Sequence, residues 1–237
     1  MDPLSTFAGS ALVFLAGLLV RFLIALVGLA VVVVPIVAVF MAVRYVREVR
    51  DRVHGLEHAG NVLAMRGLYY APGHTWMKDE SPSSVRVGVD DLARRLLTGI
   101  RALRIAEPGS ELRRGDTLAE VELDGRRTRI VAPMDATVVD TNDEVEQAPD
   151  LVQRDPYRKG WLALLAPAGS DFRRMPTGEA ARQWLEREDQ RLTVFFEAKL
   201  GAATADGGEY VLPPHALLKP EQWDEVEREF LDIPTQR

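Results

Sequence analysis

The chain has 237 residues, 47% hydrophobic and 27% charged, ordinary values for one large or two small globular domains. Its charge is unevenly placed: through Arg52 five arginines outweigh Asp2, Glu48 and Asp51 for +2, leaving −8 on the remainder of a chain whose net charge is −6. An acidic remainder excludes a surface built to neutralise phosphates, so nucleic acid is not an expected partner, and without cysteine there is no disulfide, thiolate metal site or thiol nucleophile.

Residues 1–21 form an apolar N-terminal segment, followed by a charge-free run from Phe22 to Val43. At 1.5 Å per residue that run reaches roughly 33 Å, enough for a hydrocarbon core of about 30 Å, so residues 22–43 are expected to be a transmembrane helix. Pro35 is compatible, because neighbouring groups satisfy the freed carbonyl. Asp2 in place of a basic region, and the lack of a small-residue cleavage pattern, argue for a retained anchor rather than a signal peptide. Arg44, Arg47, Arg50 and Arg52 follow the span directly, while only Arg21 precedes it. The positive-inside rule therefore predicts a single-pass protein of the cytoplasmic membrane, N-terminus outside and C-terminal part in the cytoplasm. Phe7 to Val20 leaves two readings: a longer tilted helix with Arg21 snorkelling, or a re-entrant or interfacial segment.

Beyond the span, Val46, Val49, Val53, Leu56 and Leu63 recur at spacings of three and four, with Gly60 in the missing position. This predicts a juxtamembrane helix over 44–67 whose stripe packs against another helix, headgroups or its own domain, and makes Val49, Val53 and Leu56 candidate partner-binding residues. Gly55, Gly60 and Gly67 each weaken such a helix by up to about 1 kcal/mol relative to Ala. His54-Gly55-Leu56-Glu57-His58 formally matches the H-x-x-E-H metallopeptidase pattern. A helix just outside a membrane commonly carries solvated His and Glu, and no catalytic-sized domain surrounds this one; neither a metal site nor a catalytic residue is assigned.

Strands are predicted at His74–Lys78 and Val85–Gly88 around the turn Ser81–Ser84, then a short helix capped by Asp90 and running through Leu97. Further strands follow at Ile100–Ala106, Thr117–Leu123, Arg129–Val131 and Thr137–Asp140, which together predict a small β-sandwich or barrel. Asp124-Gly125 predicts a type I′ hairpin turn, in which both central residues take positive φ. Arg126, Arg127 and Arg129 then make a basic tip on an acidic domain, either solvated or in contact with an acidic partner or a lipid headgroup; Arg126 and Arg127 are candidate partner-binding residues. Trp76 and Trp161 are expected in the core.

Thr177 opens a predicted helix from Gly178 to Leu200, with Trp184, Leu185, Leu192, Phe195 and Phe196 on one face and Gly201 as its stop. After a loop at 202–208 and an extended Tyr210–Pro214, Pro220 opens an amphipathic helix bearing Trp223, Val226 and Phe230. This extension either folds back on the domain or docks in a partner groove, which makes Trp223 and Phe230 candidate partner contacts.

The turn Glu107 to Gly115, the tip Glu122-Leu123-Asp124-Gly125-Arg126-Arg127, the run Ala132-Pro133 to Val139 and the run Pro149 to Leu162 together resemble the H protein of the glycine cleavage system, a lipoyl-carrying shuttle. The resemblance begins at His74-Thr75-Trp76, reaches about Ala166 and continues more weakly into the following helix. It implies a flattened lipoyl-type barrel. In that family a Glu-Ser-Val-Lys turn presents the acylated lysine at a fixed distance before an Ala-Pro pair, and counting back from Ala132-Pro133 puts the family's Glu on Glu122 and its Lys on Gly125. Glycine offers no amine, Arg126 and Arg127 stay protonated and are not useful acyl acceptors, and Lys78, Lys159, Lys199 and Lys219 all lie elsewhere. The expectation is a degenerate, membrane-anchored relative with no lipoyl cofactor.

The expected architecture is one N-terminal transmembrane helix plus a mainly β (α+β) lipoyl-like barrel with C-terminal helices. Its parts are the segment 1–21, the span 22–43, a juxtamembrane helix 44–67, an H-protein-like domain 68–176, a closing helix 177–201 and an extension 202–237. The expected function is that of a non-catalytic accessory or scaffold subunit of a membrane protein complex, a respiratory or photosynthetic assembly being one such host, with integral membrane subunits and the lipid bilayer as partners. The alternative is a membrane recruiter of glycine-cleavage or lipoate-handling enzymes.

Overall fold

The computed structural model describes residues 18, 19, 21, 22, 26, 28, 29, 31–46, 55–200 and 213–233, in two units, Met1–His54 and Gly55–Arg237. In the first unit residues 31–46 are helical (α1), and each of them is exposed. Val31 at 67% and Phe40 at 64% typify a helix apolar on every face. Among the described residues no helix is long and apolar enough to cross a membrane. Val49 and Val53 lie outside the described residues.

The second unit opens with a β-hairpin, not with the C-terminal half of a helix over 44–67. Strands β1 (Leu56–Ala59) and β2 (Val62–Met65) pair antiparallel, Ala59 opposite Val62, around the two-residue loop Gly60-Asn61. Gly55, Gly60 and Gly67 all take positive φ, at 75°, 63° and 76°. A right-handed helix excludes that geometry at every one of them, whereas glycine at the first central position suits a type II′ hairpin turn. The three-and-four spacing at Leu56 and Leu63 therefore belongs to strands that alternate half-buried and buried residues, as β2 does.

A six-stranded antiparallel sheet has the order β3 (Tyr69–Ala71), β4 (Thr75–Ser81), β5 (Ser84–Val89), β11 (Trp161–Pro167), β10 (Ala136–Thr141), β7 (Glu111–Leu112). A three-stranded sheet has the order β6 (Ala102–Ile105), β8 (Thr117–Leu123), β9 (Arg126–Val131). Alternation along β8 buries Val121 and Leu123 and exposes Glu120 and Glu122. Val85, Val87, Val138 and Leu165 of the larger sheet share one core with Leu103, Val121 and Ile130 of the smaller, so the inner faces close into a sandwich. Trp76 stands opposite Gly88, where a Cβ would come 2.6 Å from the indole ring. Glycine there is what lets the buried indole lie across β5 and donate to the Pro156 carbonyl at 3.1 Å. Trp161 is half-buried, with the Arg86 guanidinium 5.2 Å from its ring centre.

Asp90 caps helix α2 (Asp91–Leu96) through Oδ1, which accepts from the amides of Leu92 and Ala93 at 2.9 and 3.0 Å. Two short helices, α3 (Asp143–Gln147) and α4 (Leu151–Arg154), precede β11. Helix α5 (Gly178–Leu200) runs over the predicted range and buries Ala181, Leu185, Glu188, Asp189, Leu192 and Phe196. Past it, α6 (Pro214–Leu217) and α7 (Pro220–Val226), ending in one π-helical turn at Glu227–Leu231, fold back on the sandwich. Trp223, Val226, Phe230 and Leu231 join the main core there, and Phe230 meets Phe195 edge-on at 5.8 Å.

Candidate functional site

The β8–β9 hairpin ends in Asp124-Gly125, with Leu123 opposite Arg126 and Glu122 opposite Arg127. Gly125 has φ +76°, but Asp124 does not take positive φ. The type I′ turn is therefore not formed; a negative followed by a positive φ is the pattern of a type II turn, which needs glycine only at its second position. Arg101 Nε lies 2.6 Å from Asp124 Oδ1. That hydrogen bond holds the Asp124 carboxyl below its ordinary range and the Arg101 guanidinium above its own. A Cβ at Gly125 would meet nothing within 4 Å, so the tip is sterically open yet carries no side chain.

The outer face of the small sheet is a charged lattice. Across the three strands Arg104, Glu120 and Arg129 form one row, and Ala102, Glu122 and Arg127 the next. The basic tip is largely engaged within the chain: Arg126 Nη2 donates to the Leu218 carbonyl at 2.7 Å, and Arg129 pairs with Asp232 at 2.6 Å. Arg127 remains exposed.

The other polar concentration is inside the second unit. His74, 1% exposed, adopts φ +55° and places Nδ1 2.8 Å from Asp90 and Nε2 3.8 Å from Glu188, while its ring stacks on Trp184 at 5.1 Å. Burial by itself lowers the proton affinity of the imidazole, but Asp90 and Glu188 together outweigh it and raise the His74 pKa to about 9. Next to this group Asp91 accepts from the Leu63 amide at 3.0 Å, Asp189 from the Asn61 amide at 3.2 Å, and Tyr70 Oη from the Met65 amide at 2.7 Å. These three acceptors satisfy the outward amides of the β1–β2 hairpin and fix it to α2, β3 and α5. The arrangement has no nucleophile, and every member holds another part of the fold.

The candidate partner residues do not converge on one surface. Leu56 is half-buried against the cluster of Leu185, Trp184 and Trp76. Trp223 and Phe230 are each 2% exposed, so they are core residues and not a docking face. Arg126 is half-buried and committed to Leu218, which leaves Arg127. In the H-x-x-E-H run, His54 lies outside the described residues, while Glu57 and His58 are adjacent on strand β1, where side chains alternate between faces; the helical face that metal binding needs is not formed. His215, Glu188, Asp189 and Asp91 carry no local signal in the sequence, because their surroundings are built from residues distant along the chain.

Two packed antiparallel sheets with an exposed β8–β9 tip define a lipoyl-type domain. The family model for the glycine cleavage H-protein matches residues 68–188, and the chain belongs to that family. Similar curated proteins include a probable glycine cleavage system H protein of Thermococcus gammatolerans, 32% identical over 129 residues, covering 54% of this chain and 96% of that one. Glycine cleavage system H protein 2 of Aquifex aeolicus is 32% identical over 139 residues, covering 56% of this chain and 86% of that one. Among solved structures, a glycine cleavage system H protein from Mycobacterium marinum aligns with TM-score 0.44 and 23% identity, over 53% of this chain and 98% of that one. The matched stretch leaves out α1, the β1–β2 hairpin, the end of α5 and the C-terminal segment.

A lipoyl group needs an acceptor amine at the tip, and the tip does not supply one. Lys78 lies on β4, Lys159 just before β11, Lys199 at the end of α5 paired with Glu225, and Lys219 at the start of α7. The residues present at the hairpin do not fit the group.

Proposed function

We propose that this H-protein relative is a membrane-anchored, non-catalytic accessory subunit in which the carrier domain is kept as a protein-contact module and does not carry lipoate. The observation that supports this most is Gly125 at the exposed hairpin tip, where the family presents its lysine. The charge-free run 22–43 and the apolar faces of α1 support an anchor, since a helix apolar all round needs a non-aqueous surrounding. The run of arginines Arg44, Arg47, Arg50 and Arg52 in the sequence supports a cytoplasmic side for the domain. Arg127 and the exposed charges of the small sheet form the contact face, with an integral membrane subunit as the partner.

A second reading, recruitment of glycine-cleavage or lipoate-handling enzymes to the membrane, draws on the open space at the tip. Purification of the tagged full chain in mild detergent, with mass spectrometry of co-purifying chains, separates the two. The accessory reading predicts integral membrane subunits in stoichiometric amounts, retained in the wild type and lost with Arg127→Glu. Recovery of glycine-cleavage or lipoate-handling enzymes instead supports recruitment, and recovery of the chain alone from intact membranes contradicts both.

A further inference from the structure

His215, on α6, is 2% exposed, and neither of its ring nitrogens has a hydrogen-bond partner. A buried polar group left unpaired is destabilising, so the ring is held in place by packing and not by its nitrogens. Several elements surround the ring. Trp223 of α7 meets it edge-on at 6.0 Å and gives its own indole N–H to Glu227. From the connection between α2 and β6, the Cβ position of Gly99 lies 3.8 Å from His215 Cε1 and 4.0 Å from Asp124 Oδ2. From the hairpin tip come the charges of Asp124 and Arg126, the first bonded to Arg101 and the second to Leu218. Burial is the main influence on the imidazole and lowers its pKa; Arg126 lowers it further, and Asp124 opposes them.

The same C-terminal segment bridges the hairpin at two more points, Arg126 to the Leu218 carbonyl and Arg129 to Asp232. Two of the three arginines of the basic tip, Arg126 and Arg129, are thus engaged by acceptors of the chain itself, and Arg127 stays exposed. We propose that residues 213–233 form an acid-released cap on the β8–β9 hairpin, with His215 as its proton-sensitive latch.

The sign follows from linkage. Above the ordinary histidine pKa of about 6.5 the ring is neutral whether the cap is closed or open, so closure is fully favoured. As the pH falls below that value the open form takes up the proton first, and closure weakens down through the lower pKa of the closed form. His74 does not titrate in this window, because Asp90 and Glu188 keep it protonated up to about pH 9. Opening releases Arg126 and Arg129 toward an acidic partner. The latch itself does not depend on membrane anchoring or on the absence of lipoate.

Hydrogen–deuterium exchange on the full chain in detergent, corrected for the chemical exchange rate, tests this at about pH 7.5 and about pH 5.5. Amides of α7 and the following π turn should exchange faster at the lower pH, by about tenfold for each pKa unit separating open from closed, with β4 and β5 unchanged. His215→Phe should remove the acid response. Asp124→Asn should move its midpoint to lower pH, an effect that a merely structural histidine would not show. Equal protection at both pH values, or a wild-type acid response in His215→Phe, overturns the proposal. Should His215→Phe fail to fold, an unmoved midpoint in Asp124→Asn does so.

Discussion

His74 is the residue at which charge, strain and packing meet. A non-glycine residue at positive φ is uncommon, and here the ring is held between two carboxylates and an indole. Its raised pKa makes a stability statement. Below the unfolded value of about 6.5 both states are protonated and the stabilisation is complete; it is lost as the pH rises through about 9. Equilibrium urea unfolding of the full chain in detergent should show wild-type stability falling between pH 6.5 and 9, by about 1–3 kcal/mol, with a flatter curve for His74→Gln. A parallel decline in that variant would remove His74 as the cause. Trp223 offers a second test at this scale, because it is a core residue and not a partner contact. Trp223→Ala should destabilise by about 3–5 kcal/mol, whereas Arg127→Ala, at an exposed site, should change stability by no more than about 0.5 kcal/mol.

At the scale of elements, the β1–β2 hairpin is the main departure from expectation. Its loop depends on Gly60, where a Cβ would sit 3.1 Å from Asp189 Oδ2 as well as in the left-handed region. Gly60→Ala should cost about 1–2 kcal/mol, while Gly169→Ala, with open space and ordinary φ, should be nearly neutral; equal midpoints for the two variants would refute the turn assignment. The motif was present in the sequence as Gly60-Asn61 between the alternating run Leu56-Glu57-His58-Ala59 and the apolar run Val62-Leu63-Ala64-Met65, a hairpin pattern. The heptad-like spacing masked it, because valine and leucine at three and four residues also satisfy a short strand pair. Elements fixed by local chemistry were legible: Asp90 as a cap, β8 by alternation, α5 by period. The docking of α7 was not decidable, since an amphipathic helix reads the same whether its apolar face meets its own domain or a partner. The open tip at Gly125 was legible by counting from Ala132-Pro133, but its turn type was not, because Asp-Gly suits more than one turn.

At the scale of the whole molecule, an H-protein sandwich is extended on both sides of the stretch shared with the family. The hairpin before it is fixed by Asp91, Asp189 and Tyr70, and the segment after it closes the core and engages Arg126 and Arg129. The proposed N-terminal anchor would confine the domain to the membrane surface. A reporter active only in the cytoplasm should work when fused after Arg237 and fail when fused before Met1; the opposite pattern would reverse the orientation inferred from the arginine cluster.

Whether the carrier fold is retained without its cargo is decided by intact-mass spectrometry of the full chain purified from lipoate-replete cells. The unmodified mass is expected, and the same mass in cells starved of lipoate. A stoichiometric lipoyl increment, mapped to Lys78, Lys159, Lys199 or Lys219, would contradict it.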